Sequence, residues 1–416
     1  MNGTRENDRV SDRDRMLGLI AGIVGRAPRR PPASEGELVA QQMIEDEFKR
    51  LGLQTSWHGF SFHRSIFADQ ALHCGMAIAG TVVAMFLPWL GAALHAFAAF
   101  SYTMQSTRRH AVIRRLYRRR GSQNLLGVMP ASDGVKPRLR LVFLGHADAS
   151  YYGLVFSKQV VKNTMHAPWP LNRAVALAVW MMAALVPVDL LRYVLDQHLA
   201  VVTIVQWVMT LPAAFGFFLN MDVFLRNVQV PGANDNLTGS VALPVLAERL
   251  RHAKPDDVEL VFAMTGCEEA GLGGAINMAR QVRDKWDPEN TLFVCMDGMS
   301  NGQLRYVGAE GEMFWLRPDP SLVRIVRDIA ASRPDYGPWR DVSPFDITIG
   351  GTDMAAFQAL GYRGISFVCI DPETGGPRFY HTPDDTPENL DGDALIDSVD
   401  FVEQLAKKII NGGVSS

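Results

Sequence analysis

Cysteine is scarce in this chain. Its four cysteines, Cys74, Cys267, Cys295 and Cys369, are scattered singles among 416 residues, which excludes a disulfide scaffold and paired CxxC metal knuckles. The polar start from Met1 to Arg15 lacks the apolar stretch of a secretory signal peptide. Both absences fit a reducing compartment. Charge of one sign is not in excess either. With 41 basic residues against 44 acidic ones, the net charge of -3 creates no global field for nucleic acid or an acidic polymer. Internal repeats and low-complexity tracts are also missing. The length suffices for one large α/β domain with insertions, or for two ordinary domains.

Charge is also missing locally, and here the absence is informative. No Asp, Glu, Lys or Arg occurs from Ala71 to Met104, from Ala174 to Val188, or from Leu199 to Met221. A membrane-spanning helix needs about 20 mainly apolar residues. Read as one helix, the first run would be about 50 Å long against a hydrocarbon core of about 30 Å, so a hairpin fits better. Its arms are expected over Ile66 to Leu87 and Trp89 to Thr107, with the turn at Pro88. A second hairpin is expected from Leu171 to Leu195 and Leu199 to Asn220 around the polar turn Asp196-Gln197-His198. Asp189 and Arg192, three residues apart, are expected to pair near its membrane end. That makes four spans. The competing reading is buried core helices or an oligomer face. Flanking charge favours the membrane: Arg108, Arg109, Arg114, Arg115, Arg118, Arg119 and Arg120 follow the first hairpin, and Lys158, Lys162, Arg173 and Arg226 bracket the second. The positive-inside rule then places the flanks in the cytoplasm. Anionic lipid headgroups are a simpler partner for the arginine cluster than nucleic acid.

The rest reads as a soluble α/β unit. Ser34 and Glu37 form a capping box before the apolar stripe Leu38, Val39, Met43, Ile44, Phe48 and Leu51, closed by Gly52. Strands are predicted over Gln54 to Phe62, Asn124 to Met129, Leu139 to Leu144, Glu259 to Met264, Leu292 to Met296 and Gly364 to Val368. Helices such as Leu237 to Arg251 and Gly273 to Lys285 separate them. The fold class is α/β, a mostly parallel mixed sheet flanked by helices, interrupted by two transmembrane helical hairpins. The soluble domain is discontinuous, 1–65, 108–170 and 221–416, with the hairpins at 66–107 and 171–220.

Three polar clusters follow predicted strands: Gly145-His146-Ala147-Asp148, Cys267-Glu268-Glu269 and Asp297-Gly298. Active sites of open α/β sheets gather at such strand ends. Two further clusters, Gly232-Ala233-Asn234-Asp235-Asn236 and Tyr380-His381-Thr382-Pro383-Asp384-Asp385-Thr386, occupy glycine- or proline-containing loops. Two-metal hydrolysis needs oxygen and imidazole ligands, a bridging group, and a base for the water proton. This inventory supplies them. Any one member is weak, since a lone His146 is more often a hydrogen-bonded loop histidine and Glu268-Glu269 more often a solvated pair. Five clusters in one order are not.

At these residues the sequence resembles the di-zinc aminopeptidases of peptidase clan MH, through its GHAD, GANDNLTG, CEEAGLGG, MDG and YHTPDDT motifs over about Met16 to Phe62 and Asn124 to Ile410. The resemblance implies that Asp235 bridges two zinc ions, with Glu269 and His381 completing one site and His146 and Asp297 the other. It makes Glu268 the general base, and Asp148 the acceptor of the other ring proton of His146. Asp353 is a candidate near the substrate amine. Tyr380 is a packing residue or a substrate-binding one, and Asp384 and Asp385 are expected to cap their own turn. The departure is that 88 residues separate His146 from Asp235, where the family has a short connection. Residues 151–170 are therefore expected beside the site, narrowing or redirecting its entrance. The implied activity is hydrolysis of peptides with a free N-terminus by an integral protein of the inner or cytoplasmic membrane, with the catalytic domain on the cytoplasmic side. The lipid bilayer is then a partner, nucleic acid is not, and a homo-oligomer stays open. The rival readings are a glutaminyl cyclase-like acyltransferase, a branch that typically works with one zinc, and an inactive membrane scaffold or chaperone.

Overall fold

The computed structural model describes residues 2–194, 200–340 and 342–412. Among these described residues ten strands occur in chain order: β1 (Gln54–Phe62), β2 (Arg120–Met129), β3 (Leu139–His146), β4 (Tyr151–Tyr152), β5 (Val228–Gln229), β6 (Val258–Thr265), β7 (Thr291–Met296), β8 (Gln303–Glu310), β9 (Pro344–Ile347) and β10 (Arg363–Ile370). Eight of them form one mixed sheet in the order β1-β2-β6-β3-β7-β10-β8-β9, while β4 and β5 make a small separate ribbon. The centre, β6-β3-β7-β10, is parallel. Its strands are almost wholly buried, which explains why they read as continuous apolar runs rather than alternating ones. The predicted strands are present. β8 and β9 escaped the sequence reading because they flank the sheet and alternate polar with apolar residues.

Helices cover both faces. On one, Glu35–Arg50, Thr238–Leu250 and Gly392–Ile410 pack Phe48, Leu246 and Phe401 into the larger core, joined by Met16, Ile20 and Ile23 of an Asn2–Arg26 helix. On the other, Gly273–Val282 and Met354–Gln358 pack onto Val142, Leu144 and Phe293. Ser34 caps its helix as expected, accepting from the Glu37 amide at 3.2 Å. The capping box does not close, however. The Glu37 carboxylate instead accepts from the amides of Ala33 and Cys267, because it is drawn into the buried floor of the site described below.

Both hairpins form. The first comprises Ile66–Ala84 and Pro88–Ser106, with Pro88 as the first helical residue, where its missing N–H costs nothing. The second comprises Ala174–Val194 and Ala200–Arg226, longer than expected at its far end. The turn Asp196-Gln197-His198 lies outside the described residues. Among the described residues three helices, Ile66–Ala84, Leu171–Val194 and Ala200–Arg226, are long and apolar enough to cross a membrane. Pro88–Ser106 is not, contrary to the four spans expected, because it carries His95, Ser101, Tyr102, Gln105 and Ser106 against its partners.

The bundle is inverted relative to a water-soluble one. Its interior holds Asp69, His73, Thr81, His95, Asp189 and Gln206, all fully buried, whereas Phe86, Ile204, Leu211 and Phe218 are more than 60% exposed. Asp189 and Arg192 do not pair directly. Gln206 lies between them, donating to Asp189 Oδ1 at 2.6 Å and accepting from Arg192 Nη1 at 2.7 Å, while His95 Nδ1 takes the other Asp189 oxygen at 2.7 Å. Buried polar groups without water must find partners among neighbouring helices, and here they link both hairpins.

Candidate metal centre

Because β6, β3 and β7 are parallel neighbours, the residues leaving their C-terminal ends converge: Cys267-Glu268-Glu269 after β6, His146 at the end of β3, and Asp297 after β7. Close packing behind His146 depends on Gly145, where a Cβ would lie 2.8 Å from the Gly239 carbonyl carbon. Asp235 enters from the loop preceding Thr238–Leu250, and its peptide bond to Asn236 is cis. His381 enters from the loop beyond β10. Cys267 and His381 both have left-handed backbones, with φ of 54° and 53°, a strained conformation for side-chain-bearing residues that is concentrated at functional sites.

The carboxylate of Asp235 stands between the two histidines. Its Oδ1 is 3.2 Å from His146 Nε2 and its Oδ2 is 3.2 Å from His381 Nε2. Glu269 Oε1 is 3.1 Å from His381 Nε2, and Asp297 Oδ1 is 3.7 Å from His146 Nε2. Glu268 Oε2 lies 3.8 Å from His146 Nε2. Ligand atoms of His146, Asp235 and Glu269 fall within 4.8 Å of one another. His146 Nε2 and Glu269 Oε1 are buried and make no hydrogen bond, as befits atoms whose partner is a cation. Nitrogen and oxygen donors at this spacing fit zinc.

Support comes from side chains distant in sequence. Ser150 Oγ lies 3.1 Å from His381 Nδ1. Asp385 does not merely cap its own turn as expected: its carboxylate accepts from the amides of Asn234 at 2.6 Å and Asp235 at 3.1 Å, holding the bridging loop. Asp148 accepts from the other ring nitrogen of His146, but through its backbone. Its backbone oxygen takes His146 Nδ1 at 3.1 Å, whereas its carboxylate, 3.6 Å away, is committed to the amides of Glu268 and Glu269, 3.0 Å each. Two strong N–H donors outcompete one ring proton.

Electrostatically the cluster calls for positive charge. Burial pulls the His146 imidazole down, but Glu268, Asp148, Asp235 and Asp297 together raise it well above its ordinary range. His381 is treated alike, burial being overcome by Glu269 and Asp235, and rises to about 10. Burial pushes the carboxyls of Glu268, Glu269 and Asp297 up. Asp235 alone is held down, against burial, by its two imidazole neighbours.

Two adjoining cavities meet at these residues. One reaches Asp235, Glu268 and Asp297 past Phe345 and Ile347. The other reaches Glu268 and Glu269 between Ile66 and Phe67 of the first hairpin and Phe156, Val161 and Met165 of the long insertion. The insertion thus walls the site with apolar side chains.

Residues 218–406 match Peptidase family M28. The structure is similar to BSAP, a zinc aminopeptidase from Bacillus subtilis, with a TM-score of 0.55 and 13% identity over 95% of this chain and 94% of that one. The fold is that of a zinc-dependent exopeptidase. An aminopeptidase from Aneurinibacillus sp. strain AM-1 is similar to the same degree, with a TM-score of 0.55 and 15% identity over 95% and 93% of the two chains. So is the glutaminyl cyclase of Fimbriiglobus ruber, with a TM-score of 0.54 and 14% identity over 95% and 94%. A search of curated proteins finds no match. Within this exopeptidase fold, the matched range takes in Asp235, Glu268, Glu269, Asp297 and His381, while His146 precedes it.

Two sequence-predicted substrate residues fall differently in the exopeptidase frame. Asp353 is 2% exposed, is absent from the walls of both cavities and accepts from Thr265 Oγ1. It is held at the end of β6, out of the walls of both cavities. Tyr380 lines both cavities, stacked on His381 at 3.8 Å between ring centres. Glu37, Ser150 and the long-range role of Asp385 were missed, and only Glu37 carried a sequence signal, misread as a helix cap.

Proposed function

We propose that this protein is a membrane-embedded zinc aminopeptidase releasing residues from peptides with a free N-terminus. His146, Asp235, Glu269, Asp297 and His381 would hold two metal ions, with Glu268 as general base. The observation carrying this reading is Asp235, whose two oxygens face different imidazole nitrogens at 3.2 Å each, as a bridging carboxylate requires. When bound, a zinc pair supplies Lewis-acid polarisation of the scissile carbonyl and lowers the pKa of water. Glu268 borders both cavities, so its carboxylate can take a proton from water and return it to the leaving amine. Its burial raises its proton affinity, which suits that exchange near neutral pH. Glu268 and Glu269 together give the cavity a negative end for a substrate ammonium, and the apolar walls exclude water from it.

The membrane placement is supported by the three apolar helices and by the inverted polarity of their bundle. The arginines after the first hairpin favour a cytoplasmic catalytic domain. The fold leaves acyl transfer as the second reading, because a glutaminyl cyclase shares it equally well.

A peptide with a free N-terminus should be cut at its first bond in detergent and in liposomes. Its acetylated twin, lacking the charge and adding bulk, should react at least about a hundredfold more slowly. Equal cleavage of the twins, or cuts at internal bonds, would remove the aminopeptidase reading. Cyclisation of an N-terminal glutamine without hydrolysis would install the acyltransferase.

A further inference from the structure

Where the first hairpin rejoins the rest of the fold, a third pocket opens beside the cavity of Glu268 and Glu269, with Arg108 in the walls of both. Six guanidinium groups line it, those of Arg108, Arg109, Arg114, Arg115, Arg119 and Arg280, and no Asp or Glu does. Asp69 offsets one charge by accepting from Arg114 Nε at 2.9 Å. The other five form no ion pair among the described residues. Arg108, Arg109 and Arg280 are aimed by backbone carbonyls, at Gly350, Ala359 and Arg109 respectively, contacts that orient a cation without neutralising it.

The pocket is built inward as well. His63 is 4% exposed and Arg114 is 6% exposed, both line the pocket, and neither His63 Nε2 nor Arg114 Nη2 has a partner. Burial, reinforced by Arg114, pushes the His63 imidazole down to about 3, leaving it a neutral hydrogen-bonding group. Unpaired buried donors facing a cluster of cations call for an anion with several acceptor oxygens.

We propose that this pocket binds the phosphate of an anionic phospholipid headgroup. The source of the phosphate rests on the membrane placement argued above. The pocket includes Gln105, in the last turn of a hairpin helix. Beside Arg115 the side chain of Leu116 is 81% exposed, so cations and a projecting apolar residue alternate as they do at a headgroup boundary. Arg114 Nη1 also donates to Gly271 O at 3.3 Å, and the Gly271 amide donates to Glu268 O at 2.7 Å. The pocket therefore abuts the loop that carries the proposed base.

The test uses the full-length protein in detergent, with native mass spectrometry of soluble short-chain phosphatidylglycerol, short-chain phosphatidylcholine, inorganic phosphate and a single-stranded oligonucleotide. Phosphatidylglycerol should be retained and phosphatidylcholine should not. The double variant Arg115→Ala/Arg119→Ala, at exposed positions, should weaken phosphatidylglycerol by roughly thirtyfold at an unchanged thermal midpoint. His63→Leu, which removes a buried ring nitrogen but keeps apolar volume, should weaken it too. Equal retention of the two lipids, or no change in either variant, would overturn the proposal. Inorganic phosphate binding as tightly as phosphatidylglycerol would replace the lipid by free phosphate, and displacement by the oligonucleotide would replace it by nucleic acid. Protein that stays in solution without detergent would overturn the membrane placement and the lipid source with it. Loss of phosphate binding in the same variants would still support the anion chemistry of the pocket.

Discussion

Glu268 and Glu269 are identical neighbours sent in different directions by the backbone. Both amides donate to Asp148, yet the side chains diverge, Glu269 toward His381 and Glu268 toward the side of His146. Glu268→Gln keeps the shape and removes the proton acceptor. Turnover is expected to fall about 10²–10⁴-fold with metal content unchanged, measured by metal analysis beside steady-state kinetics. Retained activity would move the base elsewhere. His381 offers a pH test. Its value in the metal-free fold is raised from 6.5 to about 10, burial being outweighed by Glu269 and Asp235. The stabilisation this gives the metal-free protein is complete below 6.5 and lost as pH rises through about 10. A cation must displace that proton, so metal affinity should rise with pH up to that point. Near neutral pH, binding should release about one proton from this group. Calorimetry in two buffers of different ionisation enthalpy measures the total release, to which the raised His146 also contributes, so His381→Ala should release about one proton fewer, and an unchanged release would remove His381 from the ligands. The five candidate ligands are legible in sequence because each sits in a short polar motif beside an apolar strand or a turn. Ser150 and Asp385 act across 231 and 151 residues, and such partners leave no local mark.

At the scale of elements, charge-free length identifies the hairpins well, but not their internal contacts. Gly91 shows why. A Cβ there would lie 2.5 Å from Ala84 Cβ and 2.7 Å from Gly80 O, so the two arms of the first hairpin touch through glycine. Gly91→Leu must therefore part them, at a cost of about 1–3 kcal/mol. A lowered thermal midpoint in detergent is the expected readout, with no shift for Gly59→Ala, where nothing lies within 4 Å. An unchanged midpoint for Gly91→Leu would mean that the arms do not meet as described. The helix Pro88–Ser106 illustrates the limit of composition. Its polar residues lower its hydropathy although they face protein.

For the whole molecule, each insertion is a pair of packed helices, and one sheet assembles from strands within 54–62, 120–146 and 258–370 on either side of them. If the hairpins span a bilayer, their connecting turns and the catalytic domain lie on opposite sides. Single cysteines placed at Arg120 and at His198, after replacement of the four native, buried cysteines, should label from outside only at His198. Outside labelling at Arg120 would invert the orientation. The same arrangement seats the apolar cavity between the first hairpin and the 154–173 segment, so the insertions line the approach to Glu268, Glu269 and His381.

Composition and spacing are local quantities, and they carry what depends on local physics. The apolar runs at β3, β6 and β7 must be buried on both faces, so the central sheet can be read from them. The charge-free runs, broken by Pro88 and by a short polar turn, mark paired apolar helices, so the hairpins can too. Polar clusters that follow several apolar strands in turn mark the strand ends where sites gather, which exposes His146, Glu268, Glu269 and Asp297 as a set. Nothing local says that Asp235 presents one oxygen to each histidine, that Glu37 abandons its cap for the Cys267 loop, or that Asp353 is taken by Thr265 out of the cavity walls. Each of these outcomes is a competition among donors and acceptors brought within 3–4 Å by strand order, and that order is a property of the assembled sheet.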